Sequence, residues 1–390
     1  MSRLLFLLPS VPDPPDSGAK LRNLMLLRLL REEHAVDAIA FGQPRESERL
    51  SAVAQRVRVV PPPHERNAWR RALGAARSRL PDMAMRLWSP ELADAVRCLA
   101  EDAEVVQAEG IEMARYLSLA AAHKRVYDAH NPEFLLQRRF SEMAQSPLGK
   151  MYSRVQWRRL ERFEQGVVRS SRLTLAVSEH DANQLRALAD GACVAVVPNG
   201  IDTRAYDERP EPPGKNLLFL GKLDYRPNAE AVRWLLTEVL PKVFSRAPDE
   251  RLFVVGANPP RWLVEACQHD ARIAVTGHVV DERTYLNRCS ALLLPIRVAA
   301  GTRLKALVAM ASGVPIVSTG LGMEGLSVEP GVDYVRAESA DEWVHAIREV
   351  LGDATVRTVT ARRARRLVEE RYSWDALRTA VHVVYASVPR

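Results

Sequence analysis

The sequence predicts an α/β chain built in two halves. Three observations carry this: short continuous apolar runs recur along the chain, longer helical patterns alternate with them, and a proline-rich stretch divides the series near its middle. Apolar runs that do not alternate with polar residues mark strands buried on both faces, as in parallel sheets covered by helices. A length of 390 residues suffices for two domains, each with its own core.

In the first half, residues 4–8 read as a strand, 17–33 as a loop and helix, and 36–41, 58–60, 105–108 and 124–128 as further strands. A long helical stretch over 134–170 is interrupted at 146–148, and 173–177 follows as a strand. Residues 194–202, VAVVPNGID, form a strand ending in Pro-Asn-Gly, a turn signal that suits Gly200 to a positive φ. Residues 206–215, with Pro210, Pro212, Pro213 and Gly214, form the linker. The second half places strands at 217–219, 252–255 and 273–276 and a helix at 228–239. It closes with a helix near 374–386. The expected domains are 1–205 and 206–370, with 371–390 as a C-terminal helix.

The densest chemistry lies in 292–326, LLLPIRVAAGTRLKALVAMASGVPIVSTGLGMEGL: strand 292–295, a small-residue loop 299–302, helix 304–312 and strand 314–319. The loop brings Gly301, Thr302, Arg303 and Lys305 to a helix start, where unpaired N–H groups and the helix dipole favour an anion such as a diphosphate. Glu324 follows the last strand, where a carboxylate can accept bonds from sugar hydroxyls. Gly221, Gly256 and Gly277 stand at strand ends, where a ligand can approach the backbone closely. Gly18, with Lys20 and Arg22 behind it, opens the first helix in the same way.

The net charge of +7 and pI near 9.4 allow a nucleic acid, an anionic membrane surface or an anionic substrate as partner. No nucleic-acid-binding motif accompanies the charge, so that class is set aside. Seven lysines against 48 arginines, with abundant Ala, fit a GC-rich bacterial genome. Lys20, Lys222 and Lys305 nevertheless fall inside motif segments, where a compact ammonium suits phosphate. Cys98, Cys193, Cys267 and Cys289 show no ligand or disulfide spacing, and no metal site is expected. The apolar run at 4–8 is too short for a signal peptide, and no run could span a bilayer, so a cytoplasmic protein is expected. The basic stretch 64–81, HERNAWRRALGAARSRLP, leaves two readings open: a helix on anionic lipid at the inner membrane face, or a packed helix with a solvated arginine face.

The run Pro295, Arg297, Gly301, Thr302, Arg303, Lys305, Leu307, Ala309, Met310, Ala311, Gly313, Pro315, Val317, Thr319, Gly322, Glu324, Gly325, Leu326 resembles the donor-binding segment of the retaining GT-B glycosyltransferases of family 4. So do the opening PDPPDSGAKLR, the stretch YDAHNPEFLLQR at 127–138 and FLGKLDYRPN at 219–228. The resemblance implies a GT-B fold, two Rossmann-like domains facing each other across a cleft. It implies transfer of a sugar, with retention, from a nucleotide-diphosphate sugar to a glycan, lipid-linked or small-molecule acceptor, as in polysaccharide biosynthesis, without cofactor or metal. His130, Lys222 and Lys305 would be the catalytic residues. Gly18, Gly221, Lys222, Gly256, Gly277, Gly301, Thr302, Arg303, Lys305, the residue at 308 and Glu324 would hold the donor. Asn131 and Glu133, and less directly Gln107, Glu109 and Gly110 from the loop after the preceding strand, would shape the acceptor side. The chain departs from the pattern at Val308, where the family's ribose-binding glutamate would stand, and at Ala300, in place of the second glutamate. That departure motivates the alternative of a degenerate GT-B protein that binds nucleotide, glycan or a partner transferase without turnover. It also predicts that Val308→Glu would tighten binding of the ribose.

Overall fold

The computed structural model describes residues 2–64, 66, 67, 71, 74, 78–142, 146–206, 215–298 and 304–388. The chain forms two compact units, Met1–Asn199 with Leu377–Arg390, and Gly200–Ala376. Among the described residues no helix is long and apolar enough to cross a membrane.

The first unit holds β1 (Arg3–Leu8), β2 (Ala35–Phe41), β3 (Val57–Val60), β4 (Val105–Glu109), β5 (Arg125–Ala129), β6 (Leu173–Ala176) and β7 (Val194–Val196). They form one parallel sheet in the order β3-β2-β1-β4-β5-β6-β7. The order reverses beside β1, so the crevice beyond the carboxyl ends of β1 and β4 is where such a sheet takes ligands. Leu5, Leu7, Ile39, Val106 and Tyr127 are buried in the main core of this unit. The expected helical stretch is two helices, Glu133–Glu142 and Pro147–Ser170. The second starts where Ser146 Oγ accepts from Gly149 N and Pro147 takes a position whose missing N–H costs nothing.

The second unit holds β8 (Asn216–Leu220), β9 (Arg251–Val255), β10 (Ile273–Gly277), β11 (Ala291–Leu294), β12 (Ile316–Ser318) and β13 (Val335–Arg336). They form a parallel sheet in the order β10-β9-β8-β11-β12-β13, reversing between β8 and β11. Leu217 and Phe219 point into one core cluster, and Leu218 and Leu220 into another on the opposite face. Burial on both faces is why β8 reads as an unbroken apolar run. The sequence gives no sign of β13, whose two residues are too few for any period to show. The expected strand 124–128 is offset by one, because Lys124 ends a 3₁₀ turn and turns its ammonium onto the carbonyls of Ala100 and Glu101.

Candidate functional site

The candidate residues fall into two groups, one in each unit. In the first, Ser17 caps the helix Gly18–Leu30 by accepting from Lys20 N, which leaves Gly18 exposed at the first helical position. The Lys20 ammonium pairs with Asp16 at 3.1 Å. Arg22, one turn inside, is only 2% exposed, and its Nε and Nη2 donate to the two carboxylate oxygens of Asp128 at 2.8 and 2.9 Å. Its Nη1 donates to Val197 O at 2.8 Å and to Asn199 Oδ1 at 3.2 Å. This overturns the expectation that Arg22 adds charge for a ligand phosphate, since the fold itself uses the guanidinium.

Beside that pair, His130 follows β5 with its Nε2 3.0 Å from Glu109 Oε2. Gln107 Nε2 donates to Glu109 Oε1 at 2.6 Å, and the Tyr385 hydroxyl donates to Gln107 Oε1 at 2.7 Å. With its amide turned to satisfy both neighbours, Asn23 donates to Glu109 Oε2 at 2.8 Å and to Ala19 O at 3.0 Å. Glu109 is therefore not a loop residue past the expected strand 105–108 but, like Gln107, a fully buried member of β4. Burial raises the Glu109 carboxyl above its usual range, and the charge of Asp128 pushes the same way. Burial alone would lower His130. The hydrogen bond to Glu109 and the fields of Asp128 and Glu109 outweigh it, and the imidazole is raised. Glu109 and His130 thus form a proton-holding pair at the crevice, with the ring 16% exposed. Glu109, Asp128 and His130 converge closely enough to suggest a metal, yet both Asp128 oxygens are already taken by Arg22.

The next turn is fixed from below. Glu164, fully buried, accepts from Phe134 N at 2.8 Å, Glu133 N at 3.3 Å and the Tyr127 hydroxyl at 3.0 Å. Burial pushes its carboxyl up to about 8. Burial also raises Glu133, whose Oε1 accepts from Asn131 Nδ2 at 2.9 Å.

In the second unit, four of the predicted residues meet at the carboxyl ends of β8 and β9. Gly221 adopts φ +148°, and a Cβ there would lie 2.7 Å from Asn228 Nδ2 and 3.0 Å from Lys305 Nζ. Lys305, at the start of helix Leu304–Ala311, donates to Asn228 Oδ1 at 2.6 Å and lies 5.0 Å from the centre of the Phe219 ring. Asn228 in turn donates to Lys222 O at 2.8 Å, tying the ammonium to the turn after β8. Gly256 is glycine for a reason internal to the protein, because a Cβ would sit 1.9 Å from Gly221 O. Gly277, at φ +69° with open space around it, accepts from Gly256 N at 3.2 Å. The Lys222 side chain is 65% exposed, 3.7 Å from Asp224.

Gly301, Thr302 and Arg303, with Ala299 and Ala300, lie outside the described residues. Half of the basic stretch 64–81 does too, although Arg66 and Arg71 both pair with Asp82. Glu324 ends the 3₁₀ turn Leu321–Met323, where Gly322 packs so closely that a Cβ would meet Ser318 Oγ at 2.2 Å. Val308 is 6% exposed, in the apolar cluster of Leu292, Leu294, Leu307 and Met310. A glutamate here would bring its carboxylate into that apolar cluster. Sequence reasoning gave no role to Asn228, Asp128 or Tyr385. Asn228 and Asp128 left a signal, as the final residue of FLGKLDYRPN and the second of YDAHNPEFLLQR, and Tyr385 left none.

Two parallel sheets, each with its candidate residues at a carboxyl edge, define a class of α/β protein with paired nucleotide-binding-type domains. Residues 17–205 match the model of Glycosyltransferase Family 4, and residues 214–353 match that of Glycosyl transferases group 1. The chain belongs to these GT-B glycosyltransferases. An uncharacterised glycosyltransferase of Methanocaldococcus jannaschii is 27% identical over 178 residues, a match spanning 44% of each protein, so less than half the length of that relative is covered. Sucrose-phosphate synthase of Thermosynechococcus elongatus superposes with a TM-score of 0.69 at 14% identity, over 99% of both chains. HepE of Anabaena, solved with UDP and glucose, gives 0.69 at 15% identity, over 99% of this chain and 100% of that one. TarM of S. aureus gives 0.71 at 8% identity, over 100% and 98%. At these identities the likeness defines the fold, which is GT-B.

Proposed function

We propose that this protein transfers a sugar, with retention of configuration, from a nucleotide-diphosphate sugar to an acceptor. The observation that carries this reading is the Lys305 ammonium at a helix start, held by a neutral amide over Gly221, where no Cβ keeps a ligand away. In this reading Lys305 and Lys222, with Arg303 from the sequence motif, stabilise the charge on the departing diphosphate. The departing β-phosphate takes the acceptor's proton, and His130, steadied by Glu109, hydrogen-bonds the transferred sugar. The solved HepE complex holds UDP and glucose, which supports a donor of the same chemical class.

A membrane-bound or lipid-linked acceptor is supported by helix Pro147–Ser170. Its outer face carries Lys150, Arg154, Arg158 and Arg162 around Met151, 63% exposed, and Val155, 42% exposed. Cations around exposed apolar side chains suit an anionic headgroup layer.

A calorimetric panel of uridine, guanosine, adenosine and thymidine diphosphates, run beside a product-release assay on the matching sugar donors, tests the proposal. One diphosphate should bind, and its sugar should be released or transferred. Val308 in its apolar cluster favours the second reading, binding without turnover. Nucleotide binding with no release from any donor would select that reading, and no nucleotide binding would overturn both.

A further inference from the structure

A second cluster of chemically active side chains lies in the first unit, apart from the candidate residues above. His34 closes the end of the helix Gly18–Leu30 through its N–H to Leu30 O at 2.9 Å, directly before β2. The C-terminal helix Trp374–Ser387 brings His382 to this corner. His382 Nδ1 lies 3.3 Å from Glu33 Oε2, and one ligand atom from each of Glu33, His34 and His382 falls within 4.8 Å of the others.

Two further observations point to a ligand. The Nδ1 atoms of His34 and His382 are both shielded from solvent, and neither has a hydrogen-bond partner among the described residues. The 3.3 Å approach of His382 to Glu33 is thus an ion-pair distance without hydrogen-bond geometry. Buried polar nitrogens are rarely left unpaired, and here two occur in one cluster. The spacing also fits a metal: bonds of about 2.0–2.2 Å around a tetrahedral ion put ligand atoms roughly 3.3 Å apart. The neighbouring Glu32 pairs with Arg378 and lies 4.0 Å from His382 Nε2, while Glu33 approaches the Nδ1 of the same ring.

We infer that Glu33, His34 and His382 form a binding site for a divalent first-row transition ion of the zinc type, with water completing the shell on the exposed Glu33 side. Two imidazoles and one carboxylate are donors such ions accept readily. The bound ion would link the C-terminal helix to the start of β2, a structural role separate from sugar transfer.

The test uses the untagged full chain, stripped with chelator and titrated with Zn²⁺ by calorimetry and with Co²⁺ by visible absorption. One ion per chain should bind, with the cobalt spectrum of a nitrogen-ligated low-coordinate site and a Tm raised by several degrees. His34→Ala and His382→Ala should each weaken binding at least about tenfold. Glu33→Ala trims a side chain that is 61% exposed, so it keeps the test open even if a histidine variant fails to fold. It should weaken binding without lowering the metal-free Tm. Absence of binding at about millimolar zinc, equal binding by Glu33→Ala and the parent, or binding lost only in His130→Ala would overturn the inference.

Discussion

The two groups of candidate residues use charge in opposite ways. In the first unit, Arg22, Asp128, Glu109 and His130 are buried or nearly so and bonded to one another, with Gln107 and Tyr385 as a second layer. In the second unit, Lys222 keeps most of its side chain in water and Lys305 rests on a neutral amide. A buried, fully paired network fixes shape and tunes one proton. In the proposed function, the cations on the glycine turn would meet the donor's diphosphate. The difference teaches that a basic residue in a ligand-binding motif does not by that fact contact the ligand: Arg22 and Lys305 both stand near helix starts, and only Lys305 lies at the accessible edge.

Four substitutions would break or sharpen this contrast. Asp128→Ala would leave the Arg22 guanidinium buried without its partner and should cost about 3–5 kcal/mol of stability, read by denaturant unfolding. A loss near zero would mean that the network is not structural. Val308→Glu should cost about 2–4 kcal/mol by the same measurement, since an unpaired carboxyl would enter the apolar cluster around Leu307 and Met310. Tighter nucleotide binding with unchanged stability would instead show that position 308 opens onto the ligand.

Lys305→Met should leave the midpoint of unfolding nearly unmoved and weaken diphosphate binding by roughly 10–100-fold, the loss of one charge-assisted bond. Unchanged calorimetric affinity would remove Lys305 from the site. A pH-dependent effect is expected from Glu164→Gln, whose single amide oxygen can accept in place of Oε1, from Glu133 N and the Tyr127 hydroxyl, or in place of Oε2, from Phe134 N, but not both. The Glu164 carboxyl is raised to about 8 in the fold. Its favourable contribution is therefore complete below the unfolded value of about 4.3 and is lost as pH rises through about 8. The parent should lose at most about 1.4 kcal/mol per pH unit across that window from this group, and the variant should lack that slope. Parallel stability profiles for the two proteins would show that Glu164 titrates elsewhere.

Much of the fold was legible because β8, β9, β11 and β12 are buried on both faces and so appear as unbroken apolar runs. The meeting of Gly221 and Lys305 was anticipated because strand-end turns and helix starts demand particular residue types at short range. Arg22 was misread because the sequence shows its charge and not the carboxylate 106 residues away that claims it. Gly256 was read as a ligand contact, and the structure adds a constraint the sequence does not show, the Gly221 carbonyl just past the neighbouring strand. Val308 marked a departure from the family pattern, and only packing showed that its surroundings are apolar.

By itself the sequence determined most of the segments that become strands, where helices start and where glycine turns follow the strands, because those outcomes depend on neighbours a few residues apart. Tertiary structure decided which charges remain for a ligand, and it alone brought His382 to Glu33 and His34. The reason is physical: burial and pairing are set by residues far apart in the chain, and until the sheets form, no local pattern records which carboxylate an arginine will meet.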